Sequence, residues 1–475
     1  MNRRVWKPFP ATNMKIKTLI LICVAFFLLG VASRMAALKV LHVEPILDFA
    51  ECELIAKSLA THDLFGDPYK APTGATAHHA PVYPFLLSLI FRAFGYGSTA
   101  AVAMIAMNIS LASLQYALLP ILGIMTGARR ASLVAAFVGA LVPWRIFKDI
   151  RWETSMTGLA LLLAVLFTLR AWRRPAQSGM TGGGFDESDT DKRAPLRNGR
   201  TSLNRNGLFG FFWGVLFLAC PAALPAFLLL LMLFATKQGW KPAFWGAAIC
   251  GLTIMPWCVR NYVQLGGFAF IRDNFPIEFH ISNNDFASPL SQDNIKEVPG
   301  NFFHRMHPHS SEPEALLIAK EGELAYNREK LRETMDWIKT HPRKFVVLTA
   351  ERIVDFWIMP STLRIKAWAW VPVELLAIWG ITILLKQDMA VGWVILAIWV
   401  GFPLVYYLVQ IDSRYHYPLD WSTFFLATVA AEELVEKKLR VRQPESVFEV
   451  QLGSDKGSSL RLVGRKDGSV VDHAC

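Results

Sequence analysis

Long apolar runs recur along the chain with short polar intervals between them, the pattern of repeated membrane crossings rather than of a single water-soluble core. A bilayer-spanning helix needs roughly 20 mostly apolar residues, and the runs here supply about ten of them. They fall near 18–41, 99–125, 131–147, 154–170, 208–236, 242–258, 368–385, 389–409 and 417–434. The run 208–236 divides in two at Cys220-Pro-Ala-Ala-Leu-Pro225, where two prolines forbid a continuous helix. Residues 81–95 are apolar but too short to cross, and Pro81, Pro84 and Arg92 interrupt them, so they are expected to form an interfacial or re-entrant helix.

That reading sets the side on which every later segment lies. Arg3, Arg4, Lys7, Lys15 and Lys17 precede the first run with no acid among them, so the amino terminus stays in the cytoplasm. With 81–95 not crossing, the loop 171–207 is cytoplasmic. The residues Arg170, Arg173, Arg174, Lys192, Arg193, Arg197, Arg200 and Arg205 then obey the positive-inside preference. Thr18 to Ser33 also resembles a signal peptide ending in Val31-Ala32-Ser33, but the run is longer than the usual ~7–15 residues and many spans follow, so an uncleaved anchor is expected. The expected fold is an all-α polytopic membrane protein with juxtamembrane helices and a small extracytoplasmic insertion. Its parts are a cytoplasmic amino terminus (1–17), a transmembrane catalytic module (18–259) with outer loop 42–98, an extracytoplasmic region (260–366), carboxyl-terminal spans (367–434) and a cytoplasmic tail (435–475).

The region 260–366 carries 14 basic and 14 acidic residues, a balance suited to an extracytoplasmic globule. Leu317, Leu324, Leu331 and Ile338 recur there every seven residues, predicting one amphipathic helix that ends at His341-Pro342. A second helix, 345–357, is expected to lie along the membrane surface.

Composition agrees with this picture. The 475 residues are 53% hydrophobic and 18% charged, against ~25% charged in ordinary soluble domains, and mean hydropathy is +0.32. The excess of 49 Lys and Arg over 38 Asp and Glu flanks the spans, which is a topology signal and implies no nucleic-acid partner. The six cysteines are scattered with no paired spacing, so neither a disulfide framework nor a zinc-finger-like site is indicated. No internal repeat is visible, and neither a G-x-x-x-x-G-K-[ST] loop nor a G-x-G-x-x-G unit occurs, which leaves ATP or a soluble nucleotide-sugar donor without support.

The candidate chemistry sits at the outer ends of the spans, where cations run against topology and need a purpose. One cluster is Asp48, Glu51 and Glu53 with His78 and His79; a second is Arg145, Lys148, Asp149, Arg151 and Glu153; a third is Arg260-Asn261 with Arg414-Tyr415-His416-Tyr417. All three share one side of the membrane. Transfer from a lipid phosphate needs a carboxylate to take the acceptor proton and cations or a metal to hold the departing phosphate. Asp48 is the candidate base and Glu51 a second catalytic candidate that would assist it; the alternative is a helix cap, with Asp48 as N-cap and Glu51 as its capping-box partner. Arg260 and Arg414 suit a bidentate phosphate grip. His78 and His79 suit phosphate or, for His78 together with Glu51, a divalent ion. Asp149 and Glu153 would orient the acceptor or balance neighbouring cations, and Asn283-Asn284 would bond a sugar or form a turn.

Asp48-Phe-Ala-Glu51-Cys52 with Ala56-x-x-Leu59, followed by His78-His79-Ala-Pro81-Val-Tyr83-Pro84, resembles membrane glycosyltransferases of the C superfamily. Within it the likeness is to the dolichyl-phosphate-mannose protein mannosyltransferase-like group, which includes bacterial lipid A aminoarabinose transferases. Pro256-Trp-Cys-Val-Arg260-Asn261, Ser282-Asn283-Asn284 and Arg414-Tyr415-His416-Tyr417-Pro418 look like later landmarks of that group. Cys52 stands where the group more often has Tyr, and His78-His79 where it has a basic residue. The resemblance implies a polyprenyl-phosphate-sugar donor, a glycan, lipid or protein acceptor, inversion at the anomeric carbon, an Asp48 base and substrate contacts from Tyr83 and Tyr415. It also implies a multi-pass protein among membrane lipids, as in a bacterial inner membrane with the site facing the periplasm. The alternative function is a secondary transporter, which would carry ionisable groups near helix centres and paired broken helices.

Overall fold

The computed structural model describes residues 15–143, 145–172, 194–296, 301–358, 364–442 and three tail segments, 448–449, 462–466 and 469–473. The all-α polytopic architecture is as expected. Among the described residues seven helices are long and apolar enough to cross a membrane, fewer than the ten apolar runs suggest. The difference lies in short elements: the run 131–147 yields a helix of only 13 residues, because Pro143 stops it.

Helix α1 (Ile16–Val40) is a continuous apolar rod, about 37 Å long at 1.5 Å per residue and so able to cross a ~30 Å hydrocarbon layer. The outer loop then forms α2 (Glu51–His62) and α3 (Val82–Phe94), which pack together. The 13 residues of α3 reach only about 20 Å. Helix α2 has no side-chain cap from Asp48; the amide of Phe49 donates to Glu53 Oε2 at 2.8 Å instead, which frees Asp48 from the capping alternative. The bundle continues through α4 (Ser98–Ala117), α5 (Leu119–Thr126), α6 (Arg129–Leu141), the single turn α7 (Ile146–Asp149) and α8 (Thr154–Trp172), which is buried along most of its length. Helix α9 (Ala194–Ala219) stops at Cys220, a short 3-10 turn covers Pro221–Ala223, and α10 (Leu224–Gln238) resumes, the break expected from the two prolines. Helix α11 (Trp240–Leu265) returns along α9. Where they cross, a Cβ on Gly210 would stand 2.3 Å from the carbonyl oxygen of Gly246, so only glycine permits this approach.

The insertion comprises α12 (Phe275–Ser282), α13 (Ser291–Asn294), α14 (Phe302–Met306), α15 (Glu312–Glu321), α16 (Glu323–Thr340) and α17 (Pro342–Ile358). The single heptad helix expected over 317–338 is two helices, because Gly322 at φ 86° turns the chain between α15 and α16. The buried seam is not the leucine row either. Ala315, Ile318 and Tyr326 pack with Tyr69 and Ala71 of the outer loop, so the two extramembrane segments share one core. His341 caps α16 and Pro342 opens α17, as expected.

Helices α18 (Arg364–Gln387) and α19 (Met389–Gly401) lead into an irregular strap, residues 402–419, of short 3-10 turns before α20 (Asp420–Arg442). The strap is tied to the insertion where the amide of Ile411 donates to Pro289 O at 2.7 Å and that of Ser291 to Ile411 O at 2.9 Å. The tail adds a small antiparallel sheet, β1 (Phe448–Glu449), β2 (Leu462–Lys466) and β3 (Ser469–His473), with Gly464 opposite Val471. The basic segment 1–14 and the loop core 173–193, on which the topology reading leans, lie outside the described residues.

Candidate active site

A cavity of about 760 Å³ lies where the outer loop, the turn before α8, the break between α9 and α10, the insertion and the strap meet. The break between α9 and α10 and the strap are chain irregularities. Irregular backbone at membrane depth is tolerated where it lines a cavity, which is why the Cys220–Ala222 break forms part of the wall. The polar side chains fall into two groups around the space.

The first group is ionic. Asp48 Oδ2 pairs with Arg151 Nη1 at 2.7 Å, both groups about one quarter to one third exposed. Glu153 lines the cavity with Oε2 buried and free of any hydrogen bond. Burial raises its carboxyl, but His79, Arg272 and Arg414 outweigh that and hold it below the usual range. Arg414 lies with its guanidinium 4.2 Å from the Trp152 ring centre, and its amide donates to Asp412 Oδ1 at 2.8 Å. Arg272 Nη1 comes to 3.9 Å from Glu153 Oε1 while its Nε donates to the His78 carbonyl. Tyr415 lines the same wall, stacked on Tyr406 at 4.4 Å.

The second group surrounds Glu51. The His309 amide donates to His307 Nδ1 at 3.2 Å. The His307 proton therefore resides on Nε2, which faces Glu51 Oε1 at 3.9 Å. His78 Nδ1 bonds the Tyr69 hydroxyl at 2.9 Å. Burial pushes His78 well below its ordinary value and His79 down to about 4, so both are neutral at pH 7. Burial also raises the Glu51 carboxyl, but His309, His307, His78 and His79 around it prevail and hold it below the carboxylate range. His78 and His79 thus line the cavity as neutral polar groups. No three His, Cys, Asp or Glu side chains among the described residues converge as one metal site.

Other expected site residues lie elsewhere. Arg260 is not at the cavity: its Nη1 donates to Thr76 O and its Nη2 to Phe65 O, at 2.6 and 2.7 Å, so it braces the outer loop. Asn283 donates to Phe279 O and Leu408 O and accepts from Arg352 Nη1, while Asn284 closes the end of α12 through His280 O, Ile281 O and the Phe286 amide. Both are structural. Tyr83 is buried with its hydroxyl accepting from Asn108 Nδ2. The side chain of Asp149 lies outside the described residues. Arg272, His307 and His309 were missed because they belong to a charge-balanced region in which no local pattern distinguishes them. Their one signal was a position near span ends or a His-Pro-His spacing.

Beneath the strap, Arg145 Nε pairs with Asp420 Oδ2 at 2.9 Å, and His416 bridges Asp420 Oδ1 at 2.8 Å and Glu374 Oε1 at 3.0 Å. Successive residues of Arg414-Tyr415-His416 thus face opposite ways, the first two toward the cavity and the third into this buried ionic knot.

No family model matches the chain, and no curated protein matches it in sequence. Its fold is similar to that of the oligosaccharyltransferase of Archaeoglobus fulgidus. The structure of that enzyme in complex with zinc and sulfate matches with TM-score 0.52 at 15% identity, covering 89% of this chain and 50% of that one. The structure tethered to an acceptor peptide containing the NVT sequon matches with TM-score 0.51 at 14% identity, covering 90% and 51%. The chain therefore spans about half the length of these relatives in fold. The likeness is one of fold.

Proposed function

We propose that this chain is a membrane glycosyltransferase that moves a sugar from a polyprenyl-phosphate-linked donor to an acceptor at the extracytoplasmic face. The observation that carries the reading is a single cavity in which a carboxylate, Asp48, and the guanidinium of Arg414 face one space, in a fold similar to a known oligosaccharyltransferase.

In this reading the donor phosphate lies against Arg414 and Arg272, whose charge-assisted hydrogen bonds favour the dianion that forms as the glycosyl bond breaks. The acceptor oxygen or nitrogen attacks the anomeric carbon from the opposite side, so configuration inverts. The bond from that carbon to the phosphate oxygen breaks, and its electron pair leaves with polyprenyl phosphate. Asp48 takes the acceptor proton. Arg151 orients Asp48 beforehand, and the free oxygen of Glu153 accepts a hydroxyl of the sugar. The Glu51 and histidine group offers alternating acceptors and N–H donors to the acceptor substrate. The lipid chain passes between the spans.

The test is donor-lipid binding followed by transfer. Purified protein in nanodiscs is expected to bind undecaprenyl or dolichyl phosphate saturably, and to transfer sugar from a glycosylated form of that lipid. Absence of saturable binding by the wild type overturns the reading and favours a transporter.

A further inference from the structure

Two bulky residues adopt a left-handed backbone beside the cavity, Phe49 at φ 55° and Trp152 at φ 67°. That region is strained for a large side chain, and such residues persist where surrounding contacts over-determine them. Their placement is specific: Phe49 directly follows Asp48, and Trp152 directly follows Arg151, the two partners of the 2.7 Å ion pair. The left-handed turn at Trp152 also separates three directions of use. Arg151 points to Asp48, the Trp152 ring lies under the Arg414 guanidinium at 4.2 Å, and Glu153 enters the cavity before α8 begins.

Resting on the glycosyltransferase reading, we propose that Trp152 is the positioning residue for Arg414: its ring face holds the guanidinium plane at the position where the donor phosphate binds. The cation is attracted to the π face of the indole, an interaction strengthened in a site with little water. Arg414 is the middle residue of a single 3-10 turn, Ser413–Tyr415, in the strap, with no α-helix or strand to aim it. Tyr415 contributes a side-chain hydrogen bond to Arg414 and a more distant ring at 5.3 Å, so the nearer Trp152 face is the platform on which the guanidinium rests. Arg272 has no such platform; it is held by the His78 carbonyl and Glu153 instead.

The experiment measures the affinity of the full chain in nanodiscs for undecaprenyl phosphate. Wild type is compared with Trp152→Phe, Trp152→Leu, Arg414→Gln and the double variants, with thermal unfolding as the check of folding. Trp152→Leu keeps apolar bulk but removes the ring and is expected to weaken binding about tenfold. Trp152→Phe keeps a π face and is expected to stay within about threefold of wild type. In the Arg414→Gln background, Trp152→Leu is expected to cost almost nothing further, because the group it positions is gone. Losses that simply multiply in the double variant, or a Trp152→Leu protein that binds as wild type, overturn the proposal. So does a Trp152→Phe protein as weak as Trp152→Leu at unchanged thermal stability. Should Trp152→Leu unfold, Trp152→Met, which also removes the ring while keeping apolar bulk, replaces it in the cycle with Arg414→Gln and is held to the same outcomes. Failure of the wild type to bind at all is a different result, since it removes the glycosyltransferase reading rather than the positioning role within it.

Discussion

At the residue scale, Asp48 and Arg414 carry different burdens. Asp48 is poised by an ion pair and not by a helix cap, so replacing its charge leaves the start of α2 intact. Asp48→Asn is expected to keep donor-lipid affinity while turnover falls ~10²–10⁴-fold, the usual worth of a general base. Single-turnover transfer assays on a folded variant check this, and near wild-type turnover removes Asp48 from the mechanism. Arg414→Lys keeps the charge but loses the planar fork. With a charge-assisted hydrogen bond worth roughly 1.5–3 kcal/mol, donor affinity should drop about ten- to a hundredfold. Arg260→Lys is expected to act differently. Its two guanidinium bonds go to backbone carbonyls, so the loss should appear as lower thermal stability of the outer loop. That Asp48 and Arg414 would lie near one another at the cavity was suggested by an acid just beyond the first span and a cation at an outer span end, the latter running against the positive-inside preference. Arg260 carried the same signal and proved structural, since span-end position says nothing about which carbonyls lie within reach.

At the element scale, the outer loop and the insertion are joined by buried acids. Glu323, the first residue of α16, accepts from the Thr76 hydroxyl and, at 2.7 Å, from the Ala77 amide. Burial, followed by the nearby Asp273, pushes the Glu323 carboxyl well above its ordinary value, and burial raises Asp273 as well. A raised acid contributes stability that is fully present below its unfolded value and is lost as pH rises through the folded one. Attachment of the insertion is therefore expected to loosen as pH climbs from the ordinary carboxylate range through the raised value. Glu323→Gln should flatten that dependence. Hydrogen exchange at residues 65–79 across pH reports it, and an unchanged slope in the variant argues against the pair. Within the bundle, Gly210→Leu should block the α9–α11 crossing and lower thermal stability by at least about 2 kcal/mol, through overpacking against backbone. Scanning calorimetry of the detergent-solubilised protein measures it. Helix existence was largely readable from apolar runs and prolines. Gly322 was present to be read, but the heptad row across it suggested continuity, and the seam that is buried uses Ile318, Tyr326, Asn327, Lys330 and Thr334 instead.

At the scale of the whole molecule, orientation is the remaining expectation. Reporter fusions within 171–207 should read cytoplasmic and fusions near residue 300 external, with the opposite labelling placing the cavity on the wrong face for a periplasmic donor. The polytopic helical class and the helix break at Pro221 and Pro225 were determined by the sequence itself. Hydrophobic length and proline are local properties, and lipid allows few ways to satisfy them. So was the presence of chemistry at outer span ends, because a charge beside hydrocarbon is costly wherever the chain goes next. Which charges meet was decided only by tertiary structure. Arg272, Glu51 and His307 lie on three separate segments, and the cavity exists because five parts of the chain pack around one space. The left-handed turn at Trp152 belongs to the same category. No sequence pattern demands positive φ of a tryptophan, and only the packed neighbours, Arg414 among them, make that strained conformation the favourable one.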